Sequence, residues 1–160
     1  MATSFKPPYL RKDELIGGLH VWIVDGSYIR GHIDEEFTNF GQHYRLPYIP
    51  VHELWVDQEA EQDERKFFID HLLVEHRLMA KGAPYDKALE EADRVERKER
   101  RRAGDVSRVT HHNTKLPDGH DVHERLWKKL ENDLAVWIVN GRLVRSVFDI
   151  DFTGGARLRL

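Results

Sequence analysis

His71 and Glu75 stand four residues apart in the stretch "DERKFFIDHLLVEHRLMAKG". On a helix that spacing makes two side chains neighbours on one face. At 100 degrees per residue, Phe67, Phe68, Leu72, Val74, Leu78 and Met79 form a broad apolar arc, and His71 and Glu75 lie near its centre. A second helical stretch has an apolar stripe of Tyr85, Ala88, Leu89, Ala92 and Val95, with Glu96 inside it and Glu99 close by. Two antiparallel helices packed on these faces would bring His71, Glu75 and Glu96 together. One imidazole and two carboxylates suit zinc, iron or manganese, and a cation offsets the negative charge that burial penalises. The same residues also admit a metal-free network, in which His71 bonds Glu75 and Glu96 pairs with Arg30, Arg45 or Arg77.

Two helices must carry these groups. The pattern predicts one from about Gln58 to Lys81, stopped by Gly82, and another from Pro84 to about Arg102. The polar segment 103–120 reads as a loop. Asp121 with Glu124 resembles a capping box and predicts a short helix ending near Asn132.

Flanking the helices, the chain repeats itself. Val21 to Thr38 and Val136 to Thr153 align at an offset of 115 with nine of 18 residues identical. In each copy an apolar run meets Asp25-Gly26 or Asn140-Gly141 and then a second β-prone run, the pattern of a hairpin closed by a type I′ turn. The second copy is read as truncated. The predicted fold is α+β: two homologous β-hairpins, one near each end, form a small antiparallel sheet packed against a helical hairpin. All 160 residues are assigned to one domain, with hairpin plus helical hairpin at 20–102 and a short helix plus truncated hairpin at 121–160. A lone hairpin needs further strands, so its edge predicts either pairing between the copies or a homodimer.

Composition narrows the function. The formal charge of −3 argues against a surface built as a whole for nucleic acid. With no cysteine, any metal falls to His, Asp or Glu. No apolar run is long enough to span a membrane and the start lacks signal-peptide character, so a cytoplasmic location is expected. Arg97, Lys98, Arg100, Arg101 and Arg102 could contact phosphates, yet cations in a last helical turn also complement the helix dipole. His111, His112, His120 and His123 could form a metal cluster by number, but in polar sequence without fixed spacing they read as solvent-exposed.

The run through "VWIVDG", "FT", "YIP", "HELWVD", "ERKFFIDHLLVEHRLMAKG" and "YDKALEEADRVE" resembles a group of small phage and bacterial proteins with a zincin-like H-E-x-x-E helix. That resemblance implies His71, Glu75 and Glu96 as metal ligands. It also marks two departures: Leu72 stands where a general-base glutamate would be, and Leu89 where a further histidine would be. His76 and Glu91 could substitute for the base, but both lie off the centre of their helices' apolar arcs. The expectation is a His/Glu metal protein, catalytically degenerate and acting in assembly. The alternatives are a metal-dependent hydrolase or peptidase and a nucleic-acid binder using 97–102.

Overall fold

A computed structural model describes residues 6–104 and 122–153. The chain divides into two compact units, the described residues up to Glu96 and those of Arg97–Phe152. It is α+β, with a strand hairpin near each end and a helical hairpin between them. Among the described residues no helix is long and apolar enough to cross a membrane.

In the first unit β1 (Tyr9–Ile16) pairs antiparallel with β2 (Leu19–Val24). Gly17 and Gly18 close the turn at φ of +55° and +83°, backbone that glycine adopts without strain. α1 (Gly26–His32) follows, then β3 (Phe40–Gln42) and β4 (Glu53–Asp57). β4 runs parallel to β2 and antiparallel to β3, so the sheet order is β1-β2-β4-β3. The central strands are apolar on both faces, as strands covered on two sides require. Val21, Ile23, Leu54 and Val56 pack with Phe68, Ile69 and Leu72 of α2 (Arg65–Ala80). On the other face Val24 and Trp55 pack with Ile29, Phe37 and Ile49. α3 (Tyr85–Arg102) completes the helical hairpin.

The second unit holds β5 (His123–Lys129), β6 (Ala135–Val139) and α4 (Gly141–Val147). β5 and β6 form a sheet of their own.

The repeat is real, but it is not the hairpin expected from it. Asp25 and Asn140 are helix N-caps: their Oδ1 atoms accept from the Tyr28 and Leu143 backbone N–H at 3.0 and 3.1 Å. Asp or Asn before Gly serves a cap as readily as a turn, and each hairpin turn lies one strand earlier. The predicted 121–132 helix is β5, because pairing with β6 across a loop with Asp133 at φ +61° outweighs a cap-like local pattern. The hairpins do not share one sheet; β4 occupies the β2 edge. α2 starts at Arg65 rather than Gln58, whose N–H instead donates to Val24 O at 2.9 Å and prolongs the strand pairing.

One carboxylate joins these parts. Asp57 at the end of β4 accepts from Arg30 Nη1 at 2.7 Å, Gly26 N at 3.2 Å and Glu59 N at 3.0 Å. It lies so close to Gly26 that a Cβ there would collide with it. Arg30 also donates to Phe37 O at 3.3 Å, which fixes the turn after α1. Both side chains are buried, so removing Asp57 leaves the Arg30 guanidinium with the more exposed Glu59 in place of a buried carboxylate partner. Asp57→Ala should destabilise the protein by about 3–5 kcal/mol in urea unfolding, whereas Glu59→Gln, which touches only the exposed side of Arg30, should change it by less than about 1 kcal/mol. Equal small effects would contradict this account of the junction.

Candidate metal centre

α2, α3 and β3 position the site. The apolar face that seats Phe68 and Leu72 against the sheet also turns His71 and Glu75 inward. On α3 the residues buried at four-residue steps are Ala88, Ala92, Glu96 and Arg100, with Asp93 beside them. β3 adds Phe40, whose ring lies 5.0 Å from that of His71, and Gln42.

The geometry is centred on the imidazole. His71 Nδ1 lies 2.8 Å from Glu96 Oε2 and 3.6 Å from Asp93 Oδ1, and Nε2 lies 3.1 Å from Glu75 Oε2. His71, Glu75, Asp93 and Glu96 are 3%, 4%, 8% and 2% exposed, so water screens none of them well. Glu75 is itself held: Gln42 Nε2 donates to its Oε1 at 2.6 Å, while Gln42 Oε1 accepts from Tyr44 N at 2.7 Å. A line of hydrogen bonds thus runs from the β3 end through Gln42 and Glu75 to His71 and on to Glu96.

All three residues singled out from the sequence meet here, but not as equal neighbours. Glu96 and Glu75 face opposite nitrogens of one ring, so a single ion bound by His71 can have only one of them beside it in this arrangement. Asp93, which the sequence reading passed over, joins the Glu96 side. His71, Asp93 and Glu96 each offer a ligand atom within 4.8 Å of the others and could hold a metal ion. The missed signal was that Asp93 lies three residues before Glu96, hence next to it on a helix.

Other candidates lie elsewhere. His76 packs with His43 and Tyr44, and Glu91 pairs with Arg94 at 2.6 Å, so neither stands at His71 as a base. Leu72 is core, 1% exposed, and Leu89 is half-buried. Arg100 is fully buried and donates to Ser146 Oγ at 3.0 Å, which removes it from any phosphate-binding row. His111, His112 and His120 lie outside the described residues, and His123 stacks on Trp137 at 4.1 Å.

Burial alone would lower the His71 pKa, but hydrogen bonds and charge from Glu75 and Glu96 outweigh it and push the value up to about 9. Without metal the ring is therefore an imidazolium donating to a carboxylate at each nitrogen. A histidine with a raised folded pKa stabilises fully below its unfolded value near 6.5, and that contribution disappears as pH rises through about 9. Burial and neighbouring histidines lower His43 and His76, so their effects fall below pH 6.5, outside this window. With chelator present, unfolding stability should decline between pH 6.5 and 9 by on the order of 3 kcal/mol from this group, and His71→Gln should flatten the decline. A wild type equally stable across that range would contradict the imidazolium assignment.

No protein-family model, no curated protein and no solved structure matches this chain.

Proposed function

We propose that the chain is a non-catalytic, metal-stabilised protein whose role is to bind another polypeptide. A divalent cation of the zinc, manganese or iron kind is held by His71 Nδ1, Asp93 and Glu96, joining α2 to α3. The observation that carries the metal reading is three ligand atoms from two helices, all buried, within 4.8 Å of one another. Nitrogen and carboxylate donors suit such ions, and the cation would offset two buried negative charges. Glu75 takes the supporting position, its carboxylate accepting from Nε2 so that Nδ1 presents its lone pair, with Gln42 fixing Glu75 in turn.

Two features favour a structural over a hydrolytic role. Hydrolysis needs an open coordination position and a base for the attacking water. Here the ligands are buried, and core Leu72 follows His71 where the resembled zincin-like helix carries glutamate. The cation would supply cross-linking and charge balance. Activity of the zincin kind is therefore not part of this reading.

The test is elemental analysis of full-length protein loaded with zinc or manganese and desalted. About one equivalent should remain in the wild type. Asp93→Asn, nearly isosteric, should lose it while keeping its circular dichroism spectrum; Glu75→Gln should retain the site with roughly 10–100-fold weaker affinity. A folded wild type that holds no metal after loading would overturn the metal reading.

A further inference from the structure

His43, His52 and His76 gather at one end of the first unit's sheet, outside the His71 centre. The pairing Gln42↔Leu54 sets the end of β3 beside the start of β4, and His43 and His52 stand just outside those two strands. A turn fixes each: Gln42 O accepts from Arg45 N at 3.3 Å and Leu46 N at 3.0 Å, and Pro50 O from Glu53 N at 3.0 Å. His52 O also accepts from His20 N at 2.8 Å, which ties its backbone to β2. The third histidine comes from α2. Gln42 Nε2 reaches Glu75, and one residue further along each element His43 meets His76, their ring centres 5.5 Å apart and inclined at 61°.

Their surroundings leave the rings neutral and available. Burial, and then the charge of the neighbouring histidines, holds His43 and His76 below the ordinary value, so at pH 7 both keep a lone pair for a cation. His43 Nδ1 is buried with no hydrogen-bond partner among the described residues, a condition that a coordinated ion relieves. The spacing also fits. With Zn–N bonds of about 2.0–2.1 Å and tetrahedral angles, two imidazoles on one zinc have ring centres about 5 Å apart. His43 and His76 stand close to that separation. Among the described residues only His71, Asp93 and Glu96 already converge within 4.8 Å, so here the exposed His52 side chain must swing in to complete the set.

We infer that His43, His52 and His76 form a second, histidine-only site for a divalent transition ion that prefers nitrogen donors, zinc, nickel or copper rather than manganese. Imidazole selects those ions, whereas manganese suits carboxylate, carbonyl and water ligands. The His71 centre, with two carboxylates, accepts either kind. His43 and His76 are half-buried and His52 is exposed, so the ion keeps positions open to solvent. Such an ion exchanges readily: it is held at equilibrium and lost on desalting. The site is built on the β3 end, the turn before β4 and the outer edge of α2, and it does not depend on metal at His71.

The test is equilibrium dialysis of the full-length chain against micromolar zinc at neutral pH, with metal counted by elemental analysis. Expected is about one equivalent of zinc beyond that of the His71 centre, and no such increment with manganese. Asp93→Asn should keep the increment, His43→Gln and His76→Gln should each lose it, and His52→Gln should weaken it at least about tenfold. His32→Gln, whose ring packs on Tyr28 in α1, is the control and should change nothing. A readout that needs no variant is ring NMR of the wild type, in which added zinc should shift the signals of His43, His52 and His76 but not those of His32. The inference is overturned by zinc uptake that stops at the His71 centre, by an increment that survives both His43→Gln and His76→Gln, by an equal increment of manganese, or by His43 and His76 signals that zinc leaves unmoved. If the His71 centre holds no ion, wild type and Asp93→Asn bind the same amount while the His43 and His76 variants still decide this inference, so the two readings fail separately.

Discussion

Three carboxylates and one imidazole out of reach of water at the α2–α3 contact set the strongest constraint on this molecule. Buried charge must be compensated within a few ångströms or the fold does not tolerate it. Glu75 has Gln42 and one nitrogen of His71; Glu96 has the other nitrogen, with Asp93 close by. The proposed divalent ion on the Nδ1 side would add positive charge beside Asp93 and Glu96 and leave Glu75 and Gln42 to orient the ring. The site thereby depends on β3, a strand of three residues whose Phe40 and Gln42 both reach it. β3 in turn is held by β4, and β4 by the Asp57 junction with the first copy of the repeat.

The repeat gives that junction its wider meaning. Within one chain the same strand-strand-helix unit occurs once with a parallel strand in place and once with its edge unpaired among the described residues. In the first setting glycine and arginine grip an aspartate; in the second the same two residues stand together.

Much of this was legible in the sequence, for identifiable reasons. Helical periodicity gave α2 and α3 and placed His71, Glu75 and Glu96 on facing surfaces, since a 3.6-residue period survives whatever packs against it. The duplication is legible too, but its local structure is ambiguous: Asp25-Gly26 satisfies the chemistry of a turn and of a cap, and only the helix after it decides. Gly17-Gly18 was the better turn signal. The β5 stretch carries a helix-like local pattern because its strand partner lies across a loop that such a pattern does not describe. Asp93 escaped because an acid flanking an apolar stripe normally faces water, and its burial comes from α2, a contact far away in sequence.

The central claim is that a cation sits on the Nδ1 side of His71 with Asp93 and Glu96, and that Glu75 supports the ring from behind. An anomalous difference map from crystals of zinc- or manganese-loaded protein tests it most directly. The account predicts one peak about 2.0–2.2 Å from His71 Nδ1 and from carboxylate oxygens of both Asp93 and Glu96, with Glu75 remaining hydrogen-bonded at Nε2. A peak between Nε2 and Glu75, or loaded crystals with no peak at His71, would contradict it.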